Sequence, residues 1–201
     1  AASNSVTPVV TNVTSSTGRI WMDRNLGATQ VATSSQDFAA YGDLYQWGRG
    51  SDGHQTIVWT SSGGSDGAEQ TNETATTATS ATAGHGNFIT AGAGTDNNWT
   101  NYGSENDLWQ SGLNDPCPAG YGIPTETELV NERDEWSGPN YATDAYNTLK
   151  LPLAGYRSAG AGTLYYVGSR GYYWSGTVNS TNASRLYFDS SNASMSNNPR
   201  G

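Results

Sequence analysis

Residues 149–188 read LKLPLAGYRSAGAGTLYYVGSRGYYWSGTVNSTNASRLYF, a stretch dense in tyrosine and interrupted by glycine. Three segments of it are predicted strands, namely Leu149–Arg157, Gly171–Thr177 and Ser184–Asp189. Aromatic and branched side chains suit a pleated, half-buried surface, and the glycines between them mark the corners. We therefore expect the rest of the chain to pack around this aromatic core or to be displayed by it.

The composition indicates a folded, β-rich domain with a large loop fraction. The 201 residues include seven tryptophans and twelve tyrosines, and disordered chains are poor in such residues. Abundant Ser, Thr, Asn and Gly predict many turns and little helix. We expect a single ligand-binding domain over residues 1–201, with residues 1–5 as a linker.

The charge balance disfavours several classes of partner. Nine basic residues stand against eighteen carboxylates, which gives a formal net charge of −9. An acidic chain without a basic stripe argues against nucleic acid and anionic membrane surfaces, whereas it fits cation binding or a merely soluble surface. No apolar run approaches the roughly 20 residues that a membrane span needs.

Cys117 is the only cysteine, so an internal disulfide and a multi-cysteine metal site are excluded. No secretion signal is visible at Ala1, and we expect a mature or excised domain. The composition leans towards an extracellular setting.

Before the aromatic stretch, the pattern predicts strands at Val6–Val13 and Arg19–Asn25, joined by the turn SSTG. Apolar offsets of three and four in residues 37–47 predict a short helix or helical turn. A long polar loop region follows, over about residues 48–108. Loops of that length are usually functional or disordered.

The clearest predicted helix is residues 124–136, PTETELVNERDEW. Thr125 is its expected N-cap and Glu128 the reciprocal half of a capping box. Leu129, Arg133 and Trp136 share one face, while the glutamates, including Glu132, are expected to form a solvated face. Near the end of the chain, Asn-Ala-Ser at residues 182–184 recurs at 192–194, a spacing that suits the two arms of a hairpin or arises by chance.

Catalytic patterns are weak. His54 and His85 both fall in the glycine-rich loop region, and no nucleophile-elbow pattern surrounds Ser169 or Ser175. Zinc spacing, a P-loop and a dinucleotide fingerprint are all missing from the sequence. Paired carboxylates for a glycan-acting hydrolase can be chosen from the eighteen acids, but a sequence does not reveal their separation. We therefore predict no enzyme and keep the hydrolase as the least favoured alternative.

Calcium is the better cofactor prediction, because its six to eight oxygen ligands come from loops rich in Asp, Asn, Gly and Ser. Three clusters qualify: Asp52 with His54, Asp66 with Glu69, and the segment TDNNWTNYGSENDLW at residues 95–109. The third is the strongest. The predicted metal ligands there are Asp96, Asn98, Glu105, Asn106 and Asp107. Each cluster also has an ordinary explanation, because Asp and Asn are common turn formers.

Predicted ligand contacts come from the aromatic stretch. Tyr173 and Trp174 are candidates because exposed rings beside a calcium ion hold sugars or peptide ends. Arg157, Arg170 and Arg185 are able to pair with a ligand carboxylate, although internal ion pairs are the plainer explanation. We favour Arg157, Arg170, Tyr173 and Trp174.

The motifs GRIWMDRNLGA, YGDLYQWGRGSDGHQ, NDPCPAGYGIPTETEL, LKLPLAGYR and VGSRGYYWSGTV occur in this order along the chain. In this respect the chain resembles the Fibrobacter succinogenes major paralogous domain, a bacterial surface module, from about Arg19 to Asn192. The resemblance implies an α+β, C-type-lectin-like fold related to formylglycine-generating enzymes. Such a fold has a twisted antiparallel β-core, one or two flanking helices and a long irregular loop region.

The resemblance also implies a function. Similar domains in large secreted RTX-type adhesins bind the free C-terminus of short peptides on target-cell proteins, and a calcium ion meets the peptide carboxylate. The related enzymes activate oxygen with cysteines, and Cys117 alone does not support that chemistry. We therefore predict a calcium-dependent, peptide-binding, monomeric module of an extracellular bacterial adhesin within a larger chain. A carbohydrate is the alternative ligand.

Overall fold

The computed structural model describes residues 10–63, 68–90 and 97–201, which hold short strands and three α-helices. The strands are β1 (Asn12–Thr14), β2 (Ile20–Met22), β3 (Ile57–Trp59), β4 (Ala68–Gln70), β5 (Glu73–Thr74), β6 (Phe88–Ile89), β7 (Tyr156–Arg157), β8 (Leu164–Tyr165), β9 (Gly171–Asn179), β10 (Asn182–Phe188) and β11 (Ala193–Asn198). The helices are α1 (Leu108–Ser111), α2 (Glu126–Asp134) and α3 (Tyr141–Leu149). The architecture is α+β, as predicted. No helix within the described ranges is both long and apolar enough to cross a membrane.

The largest sheet is antiparallel, in the order β11-β10-β9. It contains the strands predicted at Gly171–Thr177 and Ser184–Asp189, and β10–β11 is the hairpin that the Asn-Ala-Ser repeat suggested. Side chains alternate between the two faces of a strand. Leu186 and Phe188 are fully buried beneath the helices, whereas Arg185 and Tyr187 point to the other face.

These two faces differ in chemistry. On the helix face, Tyr173, Leu186 and Phe188 pack with side chains of α2 and α3, and the Tyr173 ring stacks on Phe188 at 5.7 Å. The aromatic face carries Tyr172 and Trp174 of β9 and Arg185 and Tyr187 of β10. Arg185 lies opposite Trp174 and Tyr187 opposite Tyr172 in the strand register.

The predicted capping box begins α2. Thr125 accepts a hydrogen bond from the Glu128 amide, and the Glu128 carboxylate accepts one from the Thr125 amide. The prediction that the glutamates of this helix form a solvated face is wrong for Glu132, which is 2% exposed. Its carboxylate accepts hydrogen bonds from Ser15, Thr17 and Trp21. The β1–β2 hairpin therefore buries Glu132 and supplies the hydrogen bonds that its carboxylate needs.

The predicted strand Leu149–Arg157 is correct only at its end. Residues 141–149 form α3, and strand geometry is confined to β7. Asn140 caps the helix by accepting a hydrogen bond from the Thr143 amide at 3.1 Å. Buried Ala142, Ala145 and Leu149 recur at helical spacing, and this period decides the structure.

The other predicted elements are found in shortened form. The first two predicted strands are β1 and β2, and residues 6–9 of the first lie outside the described residues. The helical pattern of residues 37–47 yields a three-residue 3-10 helix, Phe38–Ala40. The loop region of about 48–108 holds β3 to β6 in two-stranded pairs.

That loop region has its own aromatic core, and the core ties it to the large sheet. Trp47, Trp99, Leu108 and Trp109 are buried together, and Trp174 of β9 packs against them. The indole of Trp47 donates a hydrogen bond to the Ser175 carbonyl at 2.7 Å, and the indole of Trp174 donates one to the Tyr45 carbonyl at 3.0 Å. The chain is therefore hydrogen-bonded to β9 just where the long polar region begins, and the buried Trp99 and Trp109 of that region pack beside it.

Candidate functional site

A cavity of about 550 Å³ borders β7, β9 and β10. Small-molecule and cofactor sites commonly have volumes of about 300–1,000 Å³, with mostly apolar walls and a few placed polar groups. The wall here is rich in aromatic rings and includes residues from five parts of the chain: Trp21, Tyr45, Trp109, Tyr156, Tyr172 and Trp174. Arg185 contributes a cation.

Arg185 is the most unusual charged group in this wall. Its guanidinium carbon lies 4.5 Å from the Tyr172 ring centroid and 5.8 Å from that of Trp174. The Tyr156 ring is at 5.5 Å, and Nε donates to the Ser196 hydroxyl at 3.3 Å. Within the described part of the chain no carboxylate pairs with it. Burial lowers the pKa of Arg185, but a guanidinium stays protonated in proteins.

Arg157 also borders the cavity, but its donors point into the protein. Nε donates to the Gly162 carbonyl at 2.8 Å, and the terminal nitrogens donate to Thr71 and to Glu73. The Phe88 ring covers the guanidinium at 4.1 Å. Arg157 therefore fastens β5 and β6 to β7, and its ion pair is internal.

Tyr173 and Trp174, the two predicted ring contacts, separate onto opposite faces. The Tyr173 hydroxyl donates to the Pro152 carbonyl at 2.7 Å and accepts from Asn25 at 3.1 Å. Burial raises the pKa of Tyr173 well above its usual range. Trp174 lies on the aromatic face, where it is half-buried and contacts Arg185.

Arg170 belongs to a cluster that we name the tyrosine patch: Tyr156, Tyr165, Tyr166, Tyr172 and Tyr187, together with Arg170. Its guanidinium carbon lies 4.0 Å from the Tyr166 ring centroid and 3.8 Å separates its Nε from Asp189. Tyr165 and Tyr166 are 44% and 45% exposed, and the Tyr156 ring stacks on Tyr165 at 5.6 Å. The structure thus brings Arg170 and Arg185 to neighbouring parts of one aromatic surface.

The predicted calcium ligands are only partly gathered. The Asn98 and Asn106 side-chain oxygens accept hydrogen bonds from Arg200, which is 3% exposed and also donates to the Ser180 carbonyl at 2.7 Å. Glu105 accepts from the Gly103 amide at 3.1 Å, and Asp107 ends a short 3-10 helix. Asp96 lies outside the described residues.

The predicted calcium ligands within the described residues do not surround one position with oxygen atoms. The described residues contain no group of three or more acidic, histidine or cysteine side chains placed to hold a metal ion. The side-chain oxygens that would have to turn towards an ion are used within the chain instead: Asn98 accepts from the Arg200 backbone amide, and Asn106 accepts from the Arg200 guanidinium. Calcium binding in this loop therefore stays a prediction from the sequence.

In the Asp52–His54 cluster, a partly exposed carboxylate pairs with the buried side chains of Arg49 and His54. Both Asp52 oxygens are used, one by Arg49 at 2.6 Å and the other by the His54 ring at 2.6 Å. The second ring nitrogen of His54 accepts from the Gln46 amide at 3.0 Å, so the histidine is neutral and its other nitrogen donates to Asp52. Burial lowers the pKa of His54 to about 4. In Asp52, the hydrogen bonds from His54 and Arg49 outweigh burial and lower the pKa to about 2.

Two further titratable groups border the cavity. Burial raises the pKa of Cys117 to about 12, with Asp115 nearby adding to the effect, so the thiol stays protonated near neutral pH. Burial also raises the pKa of Asp43, although a hydrogen bond from Gln55 acts to lower it.

His85, the second histidine of the loop region, lies in an exposed turn, where its Nδ1 accepts from the Asn87 amide at 3.2 Å.

The sequence reasoning named Arg185 without favouring it, and it missed Tyr156, Tyr165, Tyr166 and Tyr172 as a group. One signal was present. In GYYWSG the strand alternation sends Tyr172 and Trp174 to one face and Tyr173 to the other. Which face is buried by the helices was not readable from the segment itself.

No family model, no curated protein and no solved structure matches the chain.

Proposed function

We propose that this chain is a C-type-lectin-like binding module of a bacterial surface adhesin, and that it holds the free C-terminal carboxylate of a short peptide in the Arg185 cavity. The surface setting and the finer fold family rest on the sequence resemblance. The binding chemistry rests on the cavity. One observation carries it: Arg185 is a half-buried cation with three aromatic rings around it and no carboxylate partner among the described residues.

A carboxylate is the ligand group that best completes this environment. A desolvated charge without a counter-ion is costly, and a planar carboxylate is able to accept two parallel hydrogen bonds from a guanidinium. Arg157 illustrates the alternative, because the chain supplies Glu73 as its partner. Among the described residues, the side chain of Arg185 has one hydrogen bond, from Nε to the Ser196 hydroxyl at 3.3 Å, which leaves its terminal nitrogens for a ligand.

The aromatic wall suits the rest of a peptide. Tyr156, Tyr172 and Trp174 surround the guanidinium with apolar ring faces, which strengthen charge pairing by excluding water. The same rings give side chains near the peptide end an apolar surface to bury. Aromatic residues dominate the energetics of binding sites because they bury large areas at a low cost in side-chain entropy.

Binding without turnover is the activity we propose for the cavity. Its thiol, Cys117, has a pKa raised to about 12, so almost none of the reactive thiolate form exists near neutral pH. His54 is held in a hydrogen-bond network, fully buried and neutral, rather than presented as a base. A measured glycan turnover that one carboxylate variant abolishes would replace this proposal with the hydrolase.

A carbohydrate is the second candidate ligand, and the exposed rings of Tyr165 and Tyr166 favour it. Sugar rings stack on such faces. A glycan array that gives binding while a C-terminal peptide array gives none would establish this alternative.

The direct test uses a library of short peptides prepared twice, once with free C-termini and once amidated. We expect the free-carboxylate library to bind at least about tenfold more tightly, as a charge-assisted pair in a dry pocket predicts. Equal affinity for both libraries contradicts the proposal.

Calcium dependence is tested in the same assay by adding a chelator. Loss of peptide binding would support a calcium ion near the carboxylate, with the Asp96–Asp107 loop as its predicted holder. In that case Asp107→Ala is expected to lower calcium affinity and peptide affinity together. If peptide binding is unchanged when the chelator is present, the calcium prediction is wrong and Arg185 alone is the proposed contact of the carboxylate.

A further inference from the structure

The tyrosine patch lies next to the Arg185 cavity, and the two share Tyr156 and Tyr172. The patch rings nearest the Arg185 guanidinium are Tyr172 at 4.5 Å and Tyr156 at 5.5 Å. The exposed Tyr165 and Tyr166 rings are the next, at 5.6 Å and 6.0 Å from the Tyr156 ring. The patch is thus a continuous aromatic path from the proposed carboxylate site to the protein surface.

Tyr166 is held in a conformation that its side chain disfavours. Its φ is +57°, in the left-handed region that glycine occupies without strain. The turn is held close to Gly155, where a Cβ would lie 2.2 Å from the Tyr165 carbonyl oxygen. Non-glycine residues in such conformations cluster at binding sites. The strained conformation of Tyr166 therefore supports a role for its ring in binding.

The charged groups beside the patch are already used inside the protein. Asp189 accepts hydrogen bonds from Tyr187, from Ser191 and from the Asn192 amide. Arg170 faces Asp189 and the Tyr172 hydroxyl. What the patch offers a ligand is therefore mainly ring faces. A sugar needs several hydrogen-bond partners for its hydroxyls, whereas an apolar ring needs none.

We infer that the tyrosine patch is a subsite for proline in a peptide segment of polyproline II conformation, just N-terminal to the bound carboxylate. Such segments dock in aromatic-lined grooves because their conformation is preformed and their proline rings are apolar. A rise of about 3.1 Å per residue lets roughly three residues cover the distance from Arg185 to the exposed rings. This inference rests on the proposed function, because the bound carboxylate determines which residues of the peptide reach the tyrosine patch.

The test uses the intact chain and free-carboxylate tetrapeptide pools that carry either proline or alanine at one fixed position. We expect proline at the second to fourth position from the C-terminus to tighten binding roughly two- to tenfold, the range expected for one ring stacked on another. Tyr166→Gly is expected to abolish this preference. The variant also relieves the left-handed strain, so its thermal midpoint is expected to be equal or higher.

Leu113→Ala is the matched control, since Leu113 is 46% exposed and lies outside both the patch and the cavity wall. It is expected to keep the proline preference, while Tyr165→Ala weakens it. Equal affinity for the proline and alanine pools, or a proline preference that survives in Tyr166→Gly, overturns the inference. So does displacement of the peptides by maltohexaose or cellohexaose, which would assign the patch to sugars.

The two proposals fail separately in this design. If free-carboxylate pools bind more tightly than amidated ones but proline has no effect, only the subsite is wrong. If amidated pools bind as well as free ones, the carboxylate site is wrong, and with it the register assigned to the subsite.

Discussion

The two faces of the β9–β10 pair are built from the same strands but for different tasks. The helix face is closed by α2 and α3, and Leu186 and Phe188 have no exposed surface. The aromatic face keeps a cavity, an arginine without a carboxylate partner among the described residues and two half-exposed tyrosines. Aromatic content alone therefore does not identify a core. The face that the helices cover is part of the core, whereas the face that borders the cavity is open to a ligand.

The largest effect is expected on the helix face. Leu186→Ala removes a fully buried side chain from the centre of the sheet and should lower the free energy of unfolding by about 2–5 kcal/mol. Urea denaturation measures this loss. A loss below about 1 kcal/mol would mean that this face relaxes like a surface, and the contrast between the faces would fail.

Two arginines at the cavity sharpen the comparison. Arg157→Met breaks an internal ion pair and several hydrogen bonds, so we expect a loss of roughly 2–4 kcal/mol in the free energy of unfolding. Arg185→Met removes a cation without a partner carboxylate and is expected to be neutral or stabilising by about 1 kcal/mol. The opposite ranking of the two variants would show that Arg185 is the structural arginine.

Acid should affect the aromatic side of the molecule before the helix side. His54, whose ring contacts Tyr45 of the cavity wall at 5.8 Å, has a pKa lowered by burial from 6.5 to about 4. The unfolded chain therefore binds a proton that the folded chain does not. Stability is fully present above pH 6.5 and falls as the pH drops towards 4, by an amount on the order of 3 kcal/mol.

Denaturant melts of the protein between pH 4 and pH 7 measure this slope, and His54→Gln is the matched variant because it has no ring proton to gain. The variant is expected to flatten the slope over that window. An unchanged slope would assign the acid sensitivity to groups other than His54. Asp52 is not one of them in this window, because its pKa, lowered from 3.8 to about 2, predicts losses only at lower pH.

The smallest stability effect is expected in the tyrosine patch. Tyr166→Gly exchanges a strained left-handed residue for one without strain, and we expect a gain of about 1 kcal/mol or less, offset in part by lost ring contacts. Calorimetric melting measures it. A large loss would mean that the ring is part of the core, and the patch would then belong with the helix face.

Elements with strong local signals could be predicted from the sequence. The capping box at Thr125 and the two long strands of the aromatic stretch were readable because one period or one motif dominates each. The helix α3 was missed although Ala142, Ala145 and Leu149 carry a helical period, because the following LPLAGYR reads as a strand. Here the cap at Asn140 was the overlooked signal.

The site was harder to predict because it depends on long-range pairing. Arg157 and Arg185 are the same residue type in similar contexts, and only the folded chain shows that Glu73 reaches one and no carboxylate among the described residues reaches the other. Glu132 shows the same limit, since its three donors come from residues more than a hundred positions away.

The central claim is that Arg185 holds a peptide carboxylate, and a double-mutant cycle tests it most directly. The four affinities are those of the protein and of Arg185→Met for the best free-carboxylate peptide and for its amide, measured calorimetrically at one salt concentration. The account predicts a coupling energy of about 1.5 kcal/mol or more, in the range of close charge pairs at interfaces. Amidation that weakens both proteins equally would give no coupling and would contradict the claim.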